Sequence, residues 1–243
     1  MTTEPSTYQR LQNELRDLIE RSPKGTKLPS EPKLADQLGV SRATLREAMR
    51  TFESQGMLRR RQGLGTFVVG PTRVIDSGLE VLESLEKLAE KIDLHLEMGE
   101  LKITHIDTDA HLANQLEIQI GDSLLEVRRV ILSDSSPVAY LVDILPEDMI
   151  SPEALSTRFT GSVLDLLIHL GEPPLSISKT EISAISAPAE VAKAMNIQRG
   201  DTLLLLNGLL FDDDGNPIDY SYSYFLPGYF RLHIIRKIGG VTP

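Results

Sequence analysis

Arg42, Arg46 and Arg50 are spaced four apart, so a helix drawn through them carries all three guanidinium groups on one side. Leu45, Ala48, Met49 and Phe52 then fall on the other side at core-facing spacing. Ser41 stands where an N-cap is needed, because its hydroxyl can accept from an early backbone N–H. Upstream, Leu34, Ala35 and Leu38 suit a short amphipathic helix, and Gly39-Val40 allows a tight turn between the two. Downstream, Met57–Arg61 and Thr66–Val69 read as strands joined by Gln62-Gly63-Leu64-Gly65, a glycine tip with basic flanks. An arginine stripe alone is most often a solvated face. Set in a helix, turn, helix and basic hairpin, it fits a winged helix-turn-helix, whose second helix suits a phosphate-lined major groove.

Residues 1–70 carry 12 Lys+Arg against 8 Asp+Glu, while the whole chain has a net charge of −10. The remainder is therefore strongly acidic, and DNA is expected to touch only the first 70 residues. Tyr8, Leu11, Leu15, Leu18 and Ile19 predict an amphipathic helix packed beneath the arginine helix. Gly70-Pro71-Thr72 begins a linker, and Leu79, Leu82, Leu85, Leu88 and Ile92 predict a connecting helix over 79–96. The domain expectation is 1–70 for the winged head, 71–99 for linker and connecting helix, and 100–243 for a second domain.

The second domain repeats itself. Ile103–Leu132 and Ile182–Phe211, about eighty residues apart, share a short strand, an Ala-x-x-Ala helix, Ile-Gln-x-Gly-Asp and an apolar strand. Gly121-Asp122 and Gly200-Asp201 read as turns into strands; Ser133–Pro137 and Asp212–Pro217 read as hairpin loops. Two related halves predict one antiparallel sheet with helices on one side, giving an α+β chain overall. Between the halves, Val163, Leu166, Leu167 and Leu170 predict a helix starting at Ser162. Tyr220, Tyr222, Tyr224 and Tyr229 form an alternating run read mainly as sheet and core filling.

LPSE, GVSRATLREAM and the GLGTFV wing, in that order, resemble the GntR family of bacterial winged-helix repressors. The resemblance implies that Ser41, Arg42, Ala43 and Arg46 face operator DNA and that Gln62 and Gly63 approach the minor groove. Thr44 and Arg50, on the same helix, complete the candidate contacts. Pro32 stands where the family often has arginine, so that cationic contact is either absent or taken over by Lys33. Further along, Arg129 with PVAY, Gly161-Ser162 with a Leu-Leu pair, and PIDYS resemble the UTRA effector-binding domain of the HutC-type branch, with its chorismate-lyase-like fold. That resemblance implies an effector site bordered by Arg129, Ser162, Lys179, Asp219 and Tyr224. A cationic Arg129 or Lys179, with the start of the Ser162 helix, suits an anion; Asp219 suits a hydroxyl or an amine. Arg129 and Lys179 equally suit plain ion pairs, and Ser162 a plain N-cap. Ile131 and Leu141 are apolar where sugar-phosphate-responsive relatives are polar, pointing to a less polar ligand or to no ordinary effector.

No cofactor or metal is expected. The chain has no cysteine, and His95, His105, His111, His169 and His233 form no i, i+4 pair or HExxH pattern. A phosphate-binding loop, a nucleophile elbow and a dinucleotide fingerprint are also missing, so a lyase-like enzyme is disfavoured. A ligand-independent architectural DNA binder is disfavoured by the acidic second domain. The expectation is a cytoplasmic, homodimeric regulator of transcription, most simply a repressor, whose partners are operator DNA and a small-molecule effector, with no membrane association.

Overall fold

The computed structural model describes residues 7–54, 56–61, 63–69, 74–151, 154–155 and 158–236. It divides into two compact units: Met1–Val74 with Pro227–Tyr229, and Ile75–Leu226 with Phe230–Pro243.

In the first unit, α1 (Thr7–Arg21), α2 (Glu31–Gln37) and α3 (Arg42–Ser54) precede a hairpin of β1 (Leu58–Arg61) and β2 (Gly65–Val68). Their apolar faces close one core. Leu11, Leu15 and Ile19 of α1 meet Leu34 and Ala35 of α2, and Leu45, Ala48, Met49 and Phe52 of α3. The turn between α2 and α3 is made by Gly39 in the left-handed region (φ 63°) and a bond from Val40 N–H to the Ala35 carbonyl (3.0 Å). Ser41 caps α3, its Oγ accepting from Thr44 N–H at 3.1 Å. β1 and β2 pair antiparallel from Leu58↔Val68 to Arg61↔Gly65.

The second unit is built on a six-stranded antiparallel sheet in the order β4-β5-β6-β9-β8-β7. Its strands are β4 (Leu96–Asp107), β5 (Ser123–Ser133), β6 (Ser136–Pro146), β7 (Leu175–Ser186), β8 (Thr202–Asp212) and β9 (Pro217–Phe225). The order is two copies of strand, strand, strand joined at β6 and β9. The repeat extends to individual hydrogen bonds. Thr108 N–H donates to the Asp122 carbonyl (2.9 Å) as Ala187 N–H does to that of Asp201 (2.7 Å). Gln119 N–H and Gln198 N–H each bond the following aspartate side chain at 2.9 Å. The β5–β6 hairpin turns on Asp134 and Ser135, both left-handed (φ 47° and 59°), the pair of angles a two-residue type I′ turn requires.

Helices lie on both faces of this sheet, not on one. The repeated helices, α5 (Ala110–Leu116) and α7 (Ala189–Ala194), pack with Leu124, Val130, Tyr140, Val142, Leu203 and Tyr220. On the other face, α6 (Val163–Leu170) packs on Leu125, Val127, Leu145, Leu210 and Ile218. The alternation of side chains along each strand feeds both cores. The long connecting helix expected over 79–96 is replaced by a short one, α4 (Leu85–Glu90). Ser84 caps it, accepting from Lys87 N–H at 3.3 Å, and Asp93 at φ 56° follows its end. Before it, β3 (Ile75–Gly78) pairs in parallel with β10 (Phe230–His233), and β4 already starts at Leu96. Residues 75–99 are therefore built into the second unit, where a linker was expected.

Candidate functional site

Two places gather functional side chains, one in each unit. In the first unit, Ser41, Arg42, Ala43, Arg46 and Arg50 of the α3 region are exposed, and Thr44 is half-buried. Lys33 on α2 and Gly63 at the hairpin tip are exposed as well, while Gln62 lies outside the described residues. Gly63 takes φ 75°, and Leu64 N–H closes the tip on the Arg61 carbonyl at 3.0 Å. The core beneath the stripe fixes its direction: with Leu45 and Ala48 fully buried, α3 cannot rotate its arginines inward.

One carboxylate, which the sequence pattern did not single out, ties this surface together. Glu31, in the first turn of α2, accepts Arg46 Nε on Oε2 at 2.6 Å and faces Arg60 Nη2 of β1 across 3.1 Å on Oε1. It braces α3 against the hairpin and holds the Arg46 guanidinium in place through Nε. The i, i+3 pair of Arg50 with Glu47 (3.3 Å) is exposed and worth little.

In the second unit a cavity of about 690 Å³ opens on the α6 face of the sheet. Its floor is β6, β9, β8 and β7; α4, the residues before it, and α6 close it. Arg129, Ser162 and Asp219 line it. Arg129 Nη2 donates to Asp143 Oδ2 at 3.0 Å, its Nη1 donates to the Gly161 carbonyl, and its Cζ lies over the Phe159 ring, 5.8 Å from the ring centre. Ser162 Oγ accepts from Asp165 N–H at 3.1 Å, the N-cap of α6. Asp219, on β9, lies diagonally across from Asp143 on β6, on the same face.

Burial pushes the Asp143 carboxyl up from its ordinary value, and the Arg129 charge pulls it partly back. Burial pushes Asp219 well above the usual carboxylate range, the Asp143 charge adds to this, and Arg129 opposes it. Glu86 of α4, which also lines the cavity, is raised chiefly by burial.

Lys179 and Tyr224 do not belong to this cavity. Lys179 pairs in register with Leu209, which packs in the α5/α7 core, while its neighbours Ser178 and Thr180 line the cavity. Tyr224 sits opposite Tyr140 and stacks on Tyr222 with centroids 6.4 Å apart, also on the α5/α7 face. Strand alternation is the reason in both cases. Asp143 and Glu86 were missed. The signal for Asp143 was one charged residue inside an apolar strand, which needs a buried partner. Among the described residues no group of three or more His, Cys, Asp or Glu is placed to hold a metal ion.

A basic winged helix-turn-helix unit and a second α+β unit with a cavity are the make-up of a DNA-binding regulator with an effector-binding domain. Residues 7–68 match the model of bacterial regulatory proteins, gntR family, and residues 95–231 match the UTRA domain. The chain belongs to the GntR family of transcriptional regulators, in its UTRA-containing branch. It is 27% identical to the HTH-type transcriptional repressor NagR of Bacillus subtilis (strain 168), over 82% of this chain and 80% of that protein. It is also 27% identical to the mannosyl-D-glycerate transport/metabolism system repressor MngR of Escherichia coli (strain K12), over 95% of both chains. The crystal structure of PhnF from Mycobacterium smegmatis shares the fold, with a TM-score of 0.64 at 22% identity, covering 94% of this chain and all of that one. Among the described residues no helix is long and apolar enough to cross a membrane.

Proposed function

We propose that the chain is a homodimeric repressor of the cytoplasm that binds a two-fold symmetric operator and releases it when a small molecule occupies the second unit. The observation that carries this is the exposed Arg42, Arg46, Arg50 stripe over a buried α3 core, tied to β1 of the hairpin through Glu31. In this reading Ser41, Arg42, Ala43 and Thr44 meet base edges and phosphates at the N-terminal end of α3. Arg46, steadied by Glu31, reads or flanks a base with its remaining N–H groups, and Arg50 and Lys33 neutralise phosphates. Gly63 brings hairpin backbone toward the adjacent groove.

The sign of regulation follows the names of the relatives above. Dimerisation follows from the need to read two half-sites. Support comes from β4, an edge strand of 12 residues that exposes Met98, Leu101 and Ile103. Effector and operator are then linked by a coupling free energy, typically about 1–3 kcal/mol.

The test is selection of full-length protein on a randomised duplex library, followed by gel-shift titration of the selected site with wild type and Arg42→Ala. A palindromic site and roughly tenfold or greater weakening in the variant are expected. Recovery of no preferred sequence, or an unchanged affinity for Arg42→Ala, overturns the reading.

A further inference from the structure

We infer that the cavity of the second unit takes a small molecule bearing a protonated amine, received by Asp219, in preference to a phosphate or carboxylate. The inference rests on the effector reading above and names the chemistry of that ligand. Its first ground is the balance of ionisable groups. Among the described residues lining the cavity, Arg129 is the one cation, against Glu80, Glu83, Glu86, Asp143 and Asp219. Glu83 is met by Lys91, and Glu80 accepts from Ile235 N–H. Arg129 donates to Asp143 through Nη2 and to the Gly161 carbonyl through Nη1, so its charge already faces Asp143, while its buried Nε has no partner among the described residues.

The second ground is Asp219 itself. It is only 5% exposed, it lines the cavity, and its Oδ1 has no hydrogen-bond partner among the described residues. Two carboxyls here share one guanidinium. A buried carboxylate without a cation is costly, and an ammonium group beside Asp219 is the missing counter-charge that lets both aspartates ionise. An anionic ligand would instead add a further negative charge against them.

Apart from Arg129 Nε, the groups that ordinarily attract anions are engaged or face elsewhere. The start of α6 is capped by Ser162, and its first turn holds Asp165, which pairs with Lys87 at 2.6 Å. Lys179 faces the other side of the sheet. What remains around Asp219 is a band of hydroxyls, Ser176, Ser178, Thr180, Ser221 and Ser223. Gly208 keeps room there: a Cβ at that position would stand 2.8 Å from Ser221 Oγ. Hydroxyls, an acid and an apolar wall suit an amine on a hydroxylated or short aliphatic skeleton. At about 690 Å³ the space is that of an ordinary metabolite site.

The test uses full-length protein and matched probes: glucosamine against glucose 6-phosphate, 4-aminobutanol against 4-hydroxybutyrate, and putrescine against succinate. Thermal melting ranks them, because a ligand that binds only the folded state raises the midpoint. At least one amine is expected to raise the midpoint while its anionic counterpart does not. Asp219→Asn should then weaken that amine by roughly tenfold to a hundredfold, the range for a lost charged hydrogen bond. Should Asp219→Asn fail to fold, Glu86→Gln on α4 leaves the sheet intact and should weaken the same amine by a smaller factor.

If the anionic probes raise the midpoint and the amines do not, the ligand class falls while the sensor reading stands. If amines bind equally well to wild type and Asp219→Asn, the role of Asp219 falls. If no probe of either charge binds, the inferred class falls. The sensor reading is judged apart from this, by whether any metabolite extract releases the wild-type protein from its selected operator.

Discussion

Arg129→Met removes the one cation that lines the cavity among the described residues, while keeping an unbranched stem of similar reach. The substitution breaks the 3.0 Å bond to Asp143 and the bond to the Gly161 carbonyl. Breaking a buried pair from one side costs about 3–5 kcal/mol, because the orphaned charge stays behind. Here the cost has a ceiling, since Asp143 can escape it by taking up a proton. From its ordinary value of 3.8, holding it neutral in the folded state costs at most about 4 kcal/mol at pH 7 and about 1.6 kcal/mol at pH 5.

The direction in pH follows. Asp143, Asp219 and Glu86 are all raised in the folded state and all feel the opposing charge of Arg129. An acid raised on folding contributes most below its unfolded value, and that contribution is lost as pH rises through the folded value. Without Arg129 these groups rise further, so the variant falls behind wild type as pH increases from about 5 to 8. Urea unfolding at several pH values reads this. The chain has no tryptophan and six tyrosines, and Tyr140, Tyr220, Tyr222 and Tyr224 lie in the large sheet, so tyrosine emission reports mainly on the second unit. A loss below about 1 kcal/mol at pH 7, or one that does not change with pH, would mean that Arg129 acts by packing on Phe159, and the electrostatic reasoning would be wrong.

Three other outcomes check separate parts of the structure. Arg50→Ala should lower the slope of log affinity against log salt on a mixed-sequence duplex by about one, the signature of a lost phosphate contact, as anisotropy titrations at four salt concentrations would show. Ser162→Ala should cost the second unit about 0.5–2 kcal/mol through the lost Asp165 N–H bond, measured by urea unfolding. Lys179→Ala and Tyr224→Phe should leave the midpoint shift produced by any cavity ligand unchanged, since both face away from it; a lost shift in either would contradict that placement.

The exposed arginine stripe was legible because its information is local. A stripe at i, i+4 and i+8 with a core at the intervening positions fixes which side of α3 faces out, whatever the rest of the chain does. Glu31 was invisible for the opposite reason: its partners Arg46 and Arg60 come from two other elements, and only packing brings them within reach. The two-copy sheet was legible because the Gly-Asp turns and hairpins repeat as sequence. The connecting helix failed because leucines three apart also suit a short capped helix preceded by irregular chain. Ser84 marks where that helix starts, and its capping chemistry outranks the spacing of the leucines before it.

The cavity shows where strand sequence carries more than the family pattern yields. Asp219 and Tyr224 differ by five positions on β9, and its pairing with β6 runs from Ile144↔Tyr220 to Ala139↔Phe225 with no register shift. Residues an odd number apart on an unbroken strand point to opposite faces, so these two could never have lined one site. The alternating Tyr220, Tyr222 and Tyr224 assign all three to the core face. Asp219, Ser221 and Ser223 are then left on the other, with Asp143 brought alongside by the pairing of β6 with β9. Parity thus puts acid and hydroxyls on one face, and among the described residues lining the cavity Arg129 is the one cation, the charge pattern from which the amine ligand is inferred.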